Sequence, residues 1–202
     1  MAKRRVSSIS KGEGHESKAR PRATTIAPEG RLVLAESHAN SRLFVYMLGN
    51  FIHRLERTRR DVYFGDLDLA RVAETIGAAG VEPGMRDATF RDQHRSFDSI
   101  VGVEGQRAVN ATSIAAATGI PRETVRRKLD RLLKLGFIVE KGRARYVLKP
   151  GVLQQPERQA AFAFGIQQTV QLMNECLEQG LLRWVPAAKS KHRSSNRPVA
   201  PA

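Results

Sequence analysis

The chain contains a single cysteine, Cys176, which excludes an intramolecular disulfide and any multi-cysteine metal site. No apolar run approaches the roughly 20 residues needed to cross a bilayer, so no membrane partner is expected. The first 22 residues, MAKRRVSSISKGEGHESKARPR, are basic and lack the apolar centre of a secretory signal. Also missing are a Gly-rich phosphate loop, a nucleophile elbow, and any cluster of His, Cys and carboxylates at ligand spacing. These absences lead us to expect a cytoplasmic protein that is not an enzyme and holds neither cofactor nor metal.

What the sequence has in excess is positive charge. Its 202 residues carry a formal charge of +14, and the pI is near 10.8. Residues 120–150 hold ten Lys/Arg against three Asp/Glu, residues 1–22 seven against two, and residues 186–202 four against none. Everything else is slightly acidic. An excess confined to one internal stretch and two tails points to nucleic acid rather than to a generally solubilising surface, and hence to association with the nucleoid.

The internal stretch runs VNATSIAAATGIPRETVRRKLDRLLKLGFIVEKGRARYVL from Val109 to Leu148. Asn110 is a helix cap, because its side-chain oxygen can accept a free amide of the first turn. That helix ends near Ala117, and Thr118-Gly119-Ile120 forms a turn for which Gly119 supplies a positive φ. Pro121 falls in the first turn of a second helix, where proline costs least. This second helix spans 121–135 and buries Val125, Leu129, Leu132 and Leu133 at i, i+4, i+7 and i+8. Gly136 stops it. Phe137-Ile138-Val139 and Ala144 to Leu148 then read as two strands joined by the turn Glu140-Lys141-Gly142-Arg143. Arg107-Ala108-Val109 is expected to add a short third strand.

Helix, turn, basic helix and a hairpin with a basic tip resemble the winged helix-turn-helix of bacterial transcriptional regulators of the broad IclR and MarR type. The resemblance rests on Ile114-Ala115, Thr118-Gly119-Ile120-Pro121, Thr124-Val125, Leu129, Leu132-Leu133 and Leu135-Gly136-Phe137-Ile138, about a fifth of the chain. It implies a mainly α protein with a small β-hairpin wing, in which the 121–135 helix enters the major groove of double-stranded DNA. Arg122, Glu123, Thr124, Arg126, Arg127, Lys128 and Arg131 would then face DNA, with Arg126 and Arg127 suited to a bidentate guanine contact. Glu123 either accepts from cytosine or pairs with Arg127 at i+4, and the pairing is the simpler reading. Lys141, Arg143 and Arg145 on the wing 137–148 suit the phosphate backbone. The function implied is a sequence-preferring transcriptional regulator. The alternative is an architectural or replication-associated protein with little sequence preference.

The flanks complete the reading. Residues 1–30 and 186–202 are expected to be disordered basic tails. Within a helical region 31–108, Phe44, Leu48, Phe51, Ile52 and Leu55 predict a helix over about 37–58, with Arg54, Arg57, Arg59 and Arg60 opposing the dipole at its end. A shorter helix over 66–77 is capped by Asp66 or Asp68 and stopped by Gly77. A short helix is expected between Thr89 and Ile100, where His94 and Asp98 stand i, i+4; without a third ligand they read as a solvent-facing pair. In 150–185 a long helix, 156–179, carries Phe162, Ile166, Val170, Met173 and Leu177 along one face, with Cys176 beside them as a core or interface filler. Faces this wide on both long helices exceed one small core, which predicts a homodimer built from them. A small-molecule effector could sit between the long helices, but no polar constellation announces one.

Overall fold

The computed structural model describes residues 30–35 and 39–187, so the tails expected at both ends lie outside the described residues. Residues 32–183 form one compact unit, and residues 30–31 and 184–187 belong to a second. In the second, Gly30 lies against the Trp184 ring and the Val185 carbonyl, leaving no room for a Cβ. Among the described residues the helices are α1 (Ser41–Val62), α2 (Leu67–Met85), α3 (Ala88–Gln93), α4 (Ala111–Thr118), α5 (Arg122–Lys134) and α6 (Pro156–Glu178). The strands are β1 (Gly30–Leu34), β2 (Ile138–Glu140), β3 (Tyr146–Leu148) and β4 (Leu182–Pro186), with a 3-10 turn at Val152–Gln154. β1 pairs with β4, and β2 with β3. The expected class, mainly helical with a small antiparallel hairpin, is what the chain adopts. No helix among the described residues is long and apolar enough to cross a membrane.

The larger core lies on α2. Leu69, Val72, Ala73 and Ile76 are buried there against Val125, Leu129 and Leu132 of α5, Ile114 of α4, and Ile120, Phe137 and Ile138. Each such aliphatic side chain contributes about 1.5–3 kcal/mol on full burial, so this apolar face dominates the assembly of the 109–149 stretch. The Asp66 carboxylate caps α2 by accepting the Leu69 amide at 2.9 Å, as one of the two expected acids should.

The expected stop at Gly77 is incorrect, since α2 continues through Gly77, Gly80 and Pro83 to Met85. Packing explains the difference. A Cβ on Gly77 would come within 2.8 Å of Leu148, and one on Gly84 within 2.6 Å of the Phe90 ring. These glycines admit close neighbours instead of breaking the helix. The short helix α3 is shorter than expected and ends at Gln93, which leaves His94 as its C-cap and Asp98 outside it. The pair therefore shares no helical face: His94 Nδ1 lies 3.0 Å from Ser99 Oγ, and Asp98 accepts the Ser96 hydroxyl.

The hairpin registers Ile138 with Leu148, Val139 with Val147 and Glu140 with Tyr146. The third strand expected at 107–109 is reduced to one bridge, Val109 with Tyr146. Its neighbour along the edge is a side chain. Gln106, buried at 6 % exposure, accepts the Leu148 amide at 3.1 Å through Oε1 and donates to the Leu148 carbonyl at 3.0 Å through Nε2. A side-chain amide thus does for Leu148 what a strand backbone would do.

Helices α1 and α6 run antiparallel. Asn40 Nδ2, just before α1, donates to the Gln179 carbonyl at 2.8 Å, and Leu55 lies against Gly165. Between them a second core gathers Met47, Leu172, Cys176 and Leu181. Of the apolar face expected on α6, Phe162, Ile166, Val170 and Leu177 are exposed, while Leu172 and Cys176 beside it are buried. Gly165, with no side chain, lets α1 seat on the neighbouring stripe. Cys176 is a core residue, and burial followed by the nearby Glu175 charge pushes its thiol pKa up. After α6, Leu182 and Trp184 lie in strand β4.

Gln106→Leu removes both partners of Leu148 inside a packed edge. It should cost about 1–3 kcal/mol, because two part-buried backbone groups lose their bonds. Urea unfolding would measure it, and a loss under about 0.5 kcal/mol would contradict the role assigned to this side chain.

Candidate functional site

Local rules build the first wall of the site. Asn110 Oδ1 accepts the Ser113 amide at 2.9 Å, so α4 begins with a filled cap and its first amides point outward. Gly119, at φ 72°, closes α4 by donating to the Ala115 carbonyl. The Thr118 hydroxyl donates to the Ile114 carbonyl and accepts the Ile120 amide, stiffening the turn. Pro121 is the N-cap of α5, which begins one residue later than expected, with ψ 136° at the proline. From there Val125, Leu129 and Leu132 point into the core, leaving two flanks and an outer ridge of α5 for other work.

One flank opens on a groove of about 450 Å³ between the start of α4, α5 and the hairpin turn. Arg122, Arg126 and one carboxylate, Asp130, line it from α5, Arg143, Arg145 and Tyr146 from the hairpin, and Asn110, Ala111 and Thr112 from α4. Arg122, Arg143 and Arg145 have no carboxylate within salt-bridge distance among the described residues. Arg126 pairs with Glu123 at 3.7 Å, both side chains being mostly exposed; such a pair is worth less than about 1 kcal/mol and opens readily. The simpler reading of Glu123 is therefore corrected, since its partner is Arg126. Arg127 instead donates to the Thr124 hydroxyl at 3.2 Å on the outer side of α5. Four guanidiniums around one concavity, beside the positive end of a helix, form a surface for a polyanion.

The cations of the other flank are held internally. Lys128 Nζ donates to both oxygens of Asp66 at 2.7 and 2.6 Å, and Arg131 Nη1 donates to the same carboxylate at 2.8 Å. Burial pushes the Asp66 pKa up. The Lys128 hydrogen bond, the Leu69 amide and the charges of Lys128 and Arg131 outweigh it and hold the carboxyl below its ordinary value. A carboxylate held low contributes stability above its unfolded pKa and loses it as pH falls through the folded one. This cluster is therefore complete at neutral pH and comes apart only in acid below the usual carboxylate range.

Lys141 also has internal partners. Its ammonium donates to the Val103, Gln106 and Glu104 carbonyls at 3.0, 3.1 and 3.3 Å, and Glu104 Oε2 lies 3.2 Å away. The turn is held to the 103–106 segment by its lysine while its two arginines face out. The sequence reading missed the contribution of Ala111 and Thr112, whose only signal was the Asn110 cap. It also missed the burden that Asp66 places on α5, for which no local pattern exists.

Away from the groove, a cavity of about 440 Å³ lies beneath β3, lined by apolar groups such as Met85, Phe97, Val101, Leu148 and Phe162. Its polar side chains are largely engaged: Gln106 holds Leu148, and Arg158 sits 4.0 Å over the Phe137 ring and donates to the Val152 carbonyl. Tyr63, also on its wall, has a phenol pushed up to about 12, mainly by burial and then by Glu74. Among the described residues no group of three or more His, Cys, Asp or Glu could hold a metal ion. Compared with known proteins, the chain matches no family model, no curated protein and no solved structure.

Lys141→Met should destabilise the fold, by about 1–3 kcal/mol for hydrogen bonds lost to a charged group. It should leave the salt dependence of any polyanion binding unchanged. Thermal unfolding beside a salt titration would check both, and a flattened salt dependence with unchanged stability would place Lys141 on the polyanion after all.

Proposed function

We propose that the chain is a double-stranded-DNA-binding regulator of the winged helix-turn-helix kind, with α5 in the major groove and the 137–148 hairpin on the backbone. The observation that carries this reading is the groove ringed by Arg122, Arg126, Arg143 and Arg145. Guanidiniums recognise phosphate bidentately, and a groove wall made by a helix N-terminus adds free amides for the same group. Thr124 and Arg127 stand on the ridge of α5 that would meet base edges. The division of labour is that the groove arginines give affinity and salt dependence while Arg127 gives sequence preference.

Arg127→Ala should therefore relax sequence preference by about 1–3 kcal/mol at one base position. Arg143→Ala should weaken binding to all sequences and reduce the log–log salt slope by about 0.9. Selection of bound duplexes from a random pool, followed by salt titration on the winners, tests both. Equal losses on every sequence from both substitutions would favour the architectural reading, in which binding has little sequence preference.

The same reading assigns α1 and α6 to a homodimer. Val45 and Ile52 on α1, and Ile166, Val170 and Leu177 on α6, are exposed. On each helix these residues lie about a quarter turn from the stripe packed against the other, at 100° per residue. Because the helices are antiparallel, the two stripes fall on the same side and make one apolar face. A second copy presents the identical face about a two-fold axis and brings a second reading module. Sedimentation should show a dimer that Val170→Glu converts to a folded monomer. A wild-type monomer at high micromolar concentration would rule the dimer out.

A further inference from the structure

Three cations point from α5 or the hairpin toward internal acceptors, but the Lys128–Arg131 pair is distinctive because both end on one acid from a different helix. Asp66 is 15 % exposed and Lys128 21 %, while Arg131 remains 45 % exposed. Thr124, Arg127, Lys128 and Arg131 recur at i, i+3, i+4 and i+7, so they share one flank of α5. Asp66 thus holds the two cations that flank the Arg127 ridge, whereas Arg122 and Arg126 on the opposite flank face the groove.

The chain goes to some trouble to place this acid. The turn between α1 and α2 puts two successive residues, Phe64 at φ 56° and Gly65 at φ 79°, in the left-handed region. For a residue with a side chain, such as Phe64, that conformation costs roughly 1–2 kcal/mol. Helix capping alone does not require a charge at position 66, since Asn and Ser cap as well as Asp. The charge is needed only for what lies across from it.

We infer that Asp66 is a positioning and specificity-determining residue for DNA binding, which withholds Lys128 and Arg131 from phosphates and so suppresses sequence-independent attachment. The inference rests on the DNA-binding reading above. With Asp66 present, Lys128 and Arg131 are both held on one internal carboxylate, which offsets one of their two charges. Without its charge, Lys128 and Arg131 become two further mobile cations beside Arg127, able to grip phosphate wherever the helix lands. Specificity is a difference of affinities, and removing non-specific contacts raises it as surely as adding specific ones.

The test is Asp66→Asn in the full chain, binding a fluorescent duplex of random sequence between 50 and 200 mM salt. Asparagine keeps the cap on Leu69 and removes the charge, and Asp66→Ser serves as a second capping variant. Two released cations should steepen the log–log salt slope by about 1.8, so that the variant loses about tenfold more affinity than wild type across this range. Random-sequence affinity at 50 mM salt should rise although thermal stability falls. Adding Lys128→Gln and Arg131→Gln to the Asp66→Asn chain should restore the wild-type slope, whereas the same two changes in the wild-type chain should scarcely alter it. A purely structural Asp66 would lower stability and leave the slope where it was, and that result would overturn the inference alone. Failure of the wild-type chain to bind any duplex would overturn the DNA-binding reading itself, and the inference with it.

Discussion

The apolar face of α2 is the constraint on which the rest of the structure depends. Leu69, Val72, Ala73 and Ile76 are at or near zero exposure, and α4, α5 and the start of the hairpin all bury side chains against them. The same helix receives Leu148 at Gly77 and Gln106 at Gly80. The angle between α5 and the hairpin is therefore set by a helix outside the stretch that carries the charge. Burial on this scale outweighs the exposed ion pairs of the surface by an order of magnitude. The arginines converge because apolar side chains beneath them leave their backbones no other arrangement.

What was legible in the sequence is what local chemistry decides. The Asn110 cap, the left-handed Gly119, the end of α5 at Gly136 and the inward set Val125, Leu129 and Leu132 all follow from the conformational preference or periodicity of residues a few positions apart. The hairpin was legible as two strands about a turn, but not its register: Glu140 joins the first strand and pairs with Tyr146, leaving Ala144 and Arg145 in the turn. What was not legible depends on distant partners. Gly77 has the backbone of a helix terminator, yet Leu148 lies where its side chain would be, and packing overrides propensity. Along α6 the wide apolar stripe was legible, but not that Gly165 seats α1 on the neighbouring stripe of Leu172 and Cys176. The pairing of β1 with β4 joins opposite ends of the chain, and five residues of strand carry little signal without their partner.

The candidate site divides along the same line. Counting charges located the basic stretch correctly but could not apportion it. Ten cations against three acids suggested a uniformly positive surface. The structure removes Lys128 and Arg131 by pairing them with Asp66, and Lys141 by seating it on three carbonyls. Each of these partners lies more than thirty residues away, on a segment with no excess charge. Lys128 and Lys141 are the cations most completely taken inward, while the cations that line the groove, beside Asp130, are all arginines. This sorting suits the two side chains, since a compact ammonium satisfies converging carbonyls and a planar guanidinium suits an incoming oxyanion.

The distribution that results bears on how α5 can meet a polyanion. A helix positive all round would be attracted in any rotation, and its buried face would be the sole constraint on docking. Here α5 has a buried face, a flank whose cations are held by Asp66 and a flank whose arginines face the groove, so the field around it has a direction. Arg143 and Arg145 extend that direction onto the hairpin, and the amides of Ala111 and Thr112 extend it onto α4. Three elements with separate backbones thus present one field to one side of the molecule. The 14 formal charges of the chain describe the strength of long-range attraction, whereas this short-range asymmetry governs orientation at contact.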